Sequence, residues 1–178
     1  MEQDVQKARI GTCWLDGCSG CHMSLLDMDE AIVDVLAKAD IVFGPLVDAQ
    51  EWPEGVDVAV IEGAVSSQDD LDLLTEARER SSIVVALGDC AVTGNVPTMR
   101  NNIPTRSLLE QVYVDSVDEQ PQIPTKGVPP LLKRPSRWRP TSRSMSTCRA
   151  VRPAPSRSST SSASCARAVC PTSARSSD

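Results

Sequence analysis

A chain of 178 residues can build one hydrophobic core and is not obliged to build a second. Its residues are 40% hydrophobic, yet one Tyr, one Phe and three Trp make that core aliphatic, and no run of about 18 apolar residues could span a bilayer. The net charge of -6 joins an acidic part, residues 1–133 with 9 Lys+Arg against 23 Asp+Glu, to a remainder with 9 Arg and a single acid, so the first part is unsuited to nucleic acid.

Residues 1–9 lack the basic-then-apolar order of a secretory signal. The expectation is a cytoplasmic protein, in which cysteines more often bind metal or do redox work than form disulfides. Residues 7–12 read as a short strand, and 13–22 as a loop rich in Gly and Ser. Residues 24–38 place Leu25, Leu26, Met28, Ile32, Val35 and Leu36 near helical spacing. Residues 40–46 read as a second strand that stops at Gly44-Pro45, and 56–65 as a third, apolar enough to be buried on both faces. Ser66 or Ser67 can cap the next helix, with Asp69 and Asp70 in its first turn and Arg78 and Arg80 in its last, as the helix dipole prefers. A fourth strand covers residues 83–87, and a further helix, capped by Thr105, covers 105–114. Strands alternating with helices predict an α/β fold, a parallel sheet with helices on both faces. Ligands then lie beyond the carboxyl ends of the strands.

Three loops meet at that edge: residues 13–21, Glu62-Gly63 and Gly88-Asp89-Cys90. Cys18 and Cys21 form a Cys-x-x-Cys pair among Gly17, Ser19 and Gly20, small residues that let amides point at sulfur. Zinc sites and thioredoxin-like dithiols share the spacing. Zinc would want a second close pair, whereas Cys90 stands alone; a thioredoxin motif would open a helix beside Trp and Pro and needs no third thiol. Cys13, just after a strand, reads as a buried packing thiol rather than a ligand. His22, the only histidine, could move protons or donate to a cluster sulfur, and equally could sit at a surface or interface. Asp16, Glu62 and Asp89 are candidate proton relays; Asp16 and Asp89 also suit turns, while Glu62, ending an apolar strand, needs a partner or a cavity. Met23, Met28 and Met99 read as core or interface filler.

The stretches Trp14-Leu15-Asp16-Gly17-Cys18-Ser19-Gly20-Cys21-His22-Met23-Ser24, Ile61-Glu62-Gly63-Ala64-Val65 and Gly88-Asp89-Cys90-Ala91-Val92-Thr93-Gly94-Asn95-Val96-Pro97-Thr98-Met99-Arg100-Asn101 resemble the small subunit of bidirectional, NAD-reducing NiFe hydrogenases. The resemblance covers residues 8–132. It implies a flavodoxin-like domain with a 4Fe-4S cluster at the carboxyl edge of its strands, held by Cys18, Cys21 and Cys90. It also implies a separate large subunit carrying the NiFe centre, and a diaphorase module whose FMN passes electrons to NAD. The chain would be an electron conduit without hydrogen chemistry of its own, acting away from nucleic acid and membranes. A second flavin near the cluster is possible in the family; no residue here establishes it. Three rivals remain: the corresponding subunit of a respiratory-type complex, which usually carries adjacent cysteines in the first loop, a zinc-stabilised module whose basic tail engages nucleic acid or an acidic partner, and a free flavodoxin-like carrier, which would be a stable monomer.

Residues 133–178 depart from that pattern. The family ends on Pro-Gly-Cys-Pro-Pro, whose cysteine is the fourth ligand, and this motif is absent here. The tail instead carries Arg, Ser, Pro and Ala with no Lys after Lys133, the composition of GC-rich DNA translated out of frame. Read one nucleotide earlier, with free choice of degenerate third bases, residues 144–153 become Val-Asp-Val-Tyr-Leu-Pro-Gly-Cys-Pro-Pro, with the cysteine at position 151. The same shift turns residues 158–165 into Ile-Phe-Tyr-Ile-Leu-Ser-Glu-Leu, an amphipathic helix. The expectation is a frameshift between about Leu132 and Arg139, which removes the domain's last strand, cysteine loop and helix. With the tail as written, Cys148 is nearest the expected place for the fourth ligand, followed by Cys165 and Cys170.

Overall fold

The computed structural model describes residues 7–138 and the backbone of 145–148. Its main sheet holds β1 (Ala8–Trp14), β2 (Ala39–Phe43), β3 (Val56–Glu62), β5 (Ser81–Leu87) and β7 (Met145–Cys148), all parallel, in the order β2-β1-β3-β5-β7. A short β4 (Val65–Ser67) pairs antiparallel with β6 (Leu131–Ser136) as a separate ribbon, which local sequence pattern did not suggest.

Two helices, α1 (Gly20–Leu26) and α2 (Ala31–Leu36), replace the single expected helix over 24–38. The break is chemical: Asp27, Asp29 and Glu30 crowd the carboxyl end of α1, where the dipole disfavours acids, and Asp29 adopts a left-handed φ of 51°. Helix α3 (Gln68–Glu79) begins as expected, on a capping box in which Asp70 N–H donates to Ser67 Oγ at 3.1 Å and Ser67 N–H donates to Asp70 Oδ2 at 2.8 Å. The third strand stops at Glu62 because Gly63 turns the chain with a φ of 95°. Helices α4 (Gly88–Thr93) and α5 (Asn95–Thr98) follow β5, and α6 (Thr105–Glu110) runs into a π turn over Gln111–Asp115. Thr105 does not cap α6. Pro104 holds that position, and the Thr105 hydroxyl donates to Lys133 O at 3.0 Å.

Register fixes the two faces of the sheet. Cys13 stands beside Ile61, Ala59 beside Val84 and Ile61 beside Ala86. These residues share one face with Ala77 of α3 and Trp52, and they are fully or almost fully buried. Gly11 belongs to this face because a Cβ there would lie 2.6 Å from the Trp52 ring. On the other face Thr12 stands beside Val60 and Trp14 beside Glu62. Leu25, Leu26 and Ile32 of α1 and α2 approach this face around a cavity of about 170 Å³ that Thr12, Trp14 and Ile41 also line. Helices therefore flank both faces of the parallel sheet.

Candidate metal centre

The carboxyl ends of β1, β3 and β5 bring the three predicted cysteines together from segments far apart in sequence. Cys18 lies in the turn after β1, Cys21 in the first turn of α1, and Cys90 in the first turn of α4. A thioredoxin-like dithiol opens a helix, and so does this pair, since α1 starts at Gly20; helix position therefore does not set the two kinds of site apart. The third thiol does.

Glycines form the walls. A Cβ on Gly17 would sit 3.9 Å from both Cβ and Sγ of Cys90 and 3.4 Å from the Cα of Gly63, and one on Gly20 would sit 3.2 Å from the Cys18 sulfur. At Gly88, whose φ is 81°, a Cβ would overlap the Cys21 sulfur. Only glycine permits both that backbone conformation and that approach.

Electrostatics bind the thiols into one unit. Burial, then the charges of Glu62, Cys18, Cys90 and Asp89, push the Cys21 thiol up to about 11. Cys90 is raised in the same way by burial, Cys18, Glu62 and Asp89. Such a group resists ionising unless a cation joins it, which is the condition a metal or cluster meets. Among the described residues no three His, Cys, Asp or Glu side chains already stand in metal-holding geometry. Three soft sulfur donors in a glycine-walled space nonetheless suit iron better than a hard cation.

Glu62 is buried at the end of β3 and holds the start of α1. Its Oε1 accepts from Cys21 N–H at 3.2 Å and its Oε2 from His22 N–H at 2.9 Å, while the same Oε2 pairs with His22 Nδ1. Ser19, the residue before α1, makes no side-chain cap, so a carboxylate from a different strand caps this helix. Burial acts to raise the Glu62 pKa, but the hydrogen bonds from His22 and Cys21 outweigh it and hold the carboxyl below its ordinary range. His22 is buried, and its ring meets Trp14 edge-on at 5.7 Å. Its Nε2 and the Trp14 Nε1 are buried with no hydrogen-bond partner among the described residues. Trp14, in register with Glu62, is a neighbour of the site that no local sequence feature marks.

Cys13 is 2% exposed in the core, and burial, then the Asp70 charge, pushes its thiol up to about 12. It packs as expected of a structural thiol. Asp16 accepts from the Ser66 hydroxyl, and its backbone pairs with Ala64 in both directions, at 3.0 and 2.7 Å, so it shapes the turn. Asp89 acts on the site by its charge on Cys21 and Cys90. Met23 and Met99 are exposed, Met99 at 70%. Cys165, Cys170 and position 151 lie outside the described residues, as does the Cys148 side chain.

The profile of the family described as NADH ubiquinone oxidoreductase, 20 Kd subunit, matches residues 18–133, the span that contains all three cysteines. One of the subunits of the vhu F420-non-reducing hydrogenase of Methanocaldococcus jannaschii is 42% identical over 125 residues, 69% of this chain and 43% of that protein. The NAD-reducing hydrogenase HoxS subunit delta of Cupriavidus necator is 38% identical over 120 residues, 67% of this chain and 56% of that one. The chain thus spans about half the length, or less, of these relatives. A chain in the crystal structure of an NAD+-reducing [NiFe]-hydrogenase in the H2-reduced state superposes with a TM-score of 0.70 at 33% identity, covering 73% of this chain and 74% of that chain.

Proposed function

Because the chain belongs to the family of the NADH ubiquinone oxidoreductase 20 Kd subunit, we propose that it is the electron-transfer subunit of a NiFe hydrogenase, with Cys18, Cys21 and Cys90 as ligands of a 4Fe-4S cluster. The observation that carries this reading is the approach of three thiols from three turns onto one glycine-walled space. A cluster bound there supplies one-electron chemistry, at a potential tuned by hydrogen bonds to its sulfurs and by burial. Glu62 fixes the turn that carries Cys21, and Gly88 gives the Cys21 sulfur room. The sheet order, with the separate β4–β6 ribbon set aside, is the 2-1-3-4-5 order of flavodoxin-like folds, which supports that assignment and a site at the strand ends.

The partners on this reading are a large subunit with the NiFe centre and a flavin/NAD diaphorase module, and the assembly is cytoplasmic. Among the described residues no helix is long and apolar enough to cross a membrane. Met23, Leu26 and Leu46 are exposed around the cavity beside α1, and Val96, Met99 and Ile103 are exposed after Cys90, so apolar surface suited to a partner flanks the thiols on two sides. The hydrogenase relatives and the Cys18–Cys21 spacing favour this role over a respiratory one.

The chain as written, with Val151, lacks the family's fourth cysteine, whose place on this reading is position 151 when the tail is read one nucleotide earlier with free choice of third bases. Cys148 pairs with Leu87, and position 151 follows it by three residues, as Cys90 follows Leu87. The role is tested by co-purifying the chain from its native cells and assaying hydrogen-dependent NAD reduction. We expect nickel-containing and flavin-containing partners, and activity that disappears when Cys90→Ala replaces the wild type. A chain that purifies alone, from cells whose NAD-reducing hydrogenase is unaffected by its deletion, would overturn the role.

A further inference from the structure

The three thiols reach the site on separate segments, and two of those segments meet at one residue, Ser66 of β4. Ser66 is buried, and each of its three polar groups engages a different part of the chain. Its N–H donates to Asp70 Oδ2 at 2.9 Å, at the start of α3. Its hydroxyl donates to Asp16 Oδ2, two residues before Cys18. Its carbonyl accepts from Arg100 Nη2 at 3.1 Å, ten residues after Cys90. The helix does not need the Ser66 hydroxyl, because Ser67 Oγ already accepts from Asp70 N–H at 3.1 Å and completes the capping box.

We propose that Ser66 is a positioning residue, which joins the turn of Cys18 to the segment following Cys90 through an Asp16–Ser66–Arg100 bridge and so fixes the separation of the first and third thiols. Cys18 is the exposed member of the three, in a turn that holds Gly17 and a left-handed Ser19 at a φ of 59°. Local preference does not hold such a turn, since the left-handed conformation costs a non-glycine residue about 1–2 kcal/mol. Asp16 anchors it instead, through backbone bonds with Ala64 at 3.0 and 2.7 Å and through its carboxylate on Ser66. On the other side a ladder of backbone bonds leaves Cys90: Gly94 N–H donates to Cys90 O at 3.1 Å, and Thr98 N–H to Gly94 O at 3.3 Å. Arg100 ends that ladder. Besides reaching Ser66 O, its guanidinium donates to Leu132 O and to Thr105 Oγ1, each at 3.3 Å, and so clamps β6 beside β4. Each link to Ser66 has a charged partner, the carboxylate of Asp16 or the guanidinium of Arg100, and such bonds are about twice as strong as neutral ones. Groups that hold a ligand's segment in this way typically cost about 10–100-fold in metal affinity when removed.

The inference deepens the reading of Cys18, Cys21 and Cys90 as cluster ligands and rests on it for one of two readouts. The first readout uses metal-free full chain. Amide hydrogen exchange over residues 17–21 should quicken about tenfold or more in Ser66→Ala and in Asp16→Ala, which cut the same bond from its two ends. It should stay near wild type in Asp16→Asn, which keeps an acceptor oxygen, and in Ser67→Ala, which loses the α3 cap and neither link. The second readout uses iron-loaded chain prepared without oxygen. A ferrous chelator should strip iron about tenfold faster from Ser66→Ala and from Arg100→Lys than from wild type. The double variant should be no faster than the faster single one, because losing either link already breaks the bridge. Additive effects in the double variant, unchanged iron release in either single one, unchanged exchange in both Ser66→Ala and Asp16→Ala, or equal loosening by Ser67→Ala would each overturn the proposal. A wild type that takes up no iron would overturn the cluster reading instead, and the exchange readout would then decide the bridge alone.

Discussion

Glu62 grips His22 twice, its Oε2 accepting the backbone N–H at 2.9 Å while also pairing with ring Nδ1. The same carboxylate holds the Cys21 amide at 3.2 Å, so the end of one strand fixes the position of a thiol carried by the turn after another. A Glu62→Gln substitution keeps the shape but removes the charge, and is expected to cost about 1.5–3 kcal/mol, the range for hydrogen bonds to a charged group. Urea unfolding of the metal-free protein measures it. The substitution should also weaken retention of whatever Cys21 binds.

The sign of the pH dependence follows from the depressed Glu62 carboxyl. A carboxylate with a lowered folded pKa contributes stability that is complete above its ordinary value of 4.5 and is lost as pH falls through the lower, folded value. Acidification below the ordinary carboxylate range should therefore destabilise the wild type more than Glu62→Gln. Unfolding midpoints collected from neutral pH downward would contradict this if the two proteins lost stability in parallel.

Cys21 predicts the opposite limb in the metal-free chain. Its thiol ionises near 11 when folded against 9.0 ordinarily, so between those values the unfolded chain gives up its proton first and stability falls as pH rises. Alkylation of Cys21, followed by peptide mass, should show a midpoint well above the ordinary thiol value of 9.0. A Cys21 midpoint at the ordinary thiol value would show that Glu62, Asp89 and the neighbouring thiols do not act on it.

Gly88→Ala sets a Cβ against the Cys21 sulfur at a φ of 81°, whereas Gly127→Ala meets nothing within 4 Å at a φ of 74°. The second change costs about 1–2 kcal/mol of backbone strain alone. The first adds displacement of the thiol, so it should lose bound iron while Gly127→Ala keeps it. Iron content of the two purified variants decides the matter.

Cys13→Ala removes an atom of about methylene size from the core and should cost about 0.5–1.5 kcal/mol, with iron content unchanged. Loss of iron in this variant would return Cys13 to the ligand set.

Much of this was legible in the sequence because it rests on local chemistry. A helix cap at Ser66 or Ser67, the strand end at Leu87, and the Cys18, Cys21 and Cys90 turns follow from periodicity and from Gly and Ser placement, whereas β1 runs two residues past its expected end at Thr12, to Trp14, and takes Cys13 into the strand. Contacts between distant segments were not legible. The carboxylate capping α1 comes from Glu62, the ribbon between β4 and β6 joins residues more than sixty positions apart, and the break at Asp29 depends on a left-handed residue inside a regular apolar stripe. Glu62 was singled out as a buried carboxylate in need of a partner, but nothing local named His22 as that partner. The Trp14 contact with His22 is not legible locally because it exists only once α1 folds back over the sheet.

Cys18, Cys21 and Cys90 are the proposed ligands of an iron-sulfur cluster. The most direct measurement is iron, zinc and acid-labile sulfide analysis of the full chain isolated without oxygen, with electron paramagnetic resonance after reduction. The account predicts brown protein with iron and sulfide in equal amounts, a cluster signal on reduction, and loss of both in Cys18→Ala, Cys21→Ala or Cys90→Ala. Colourless protein with stoichiometric zinc, or iron retained in all three variants, would contradict it.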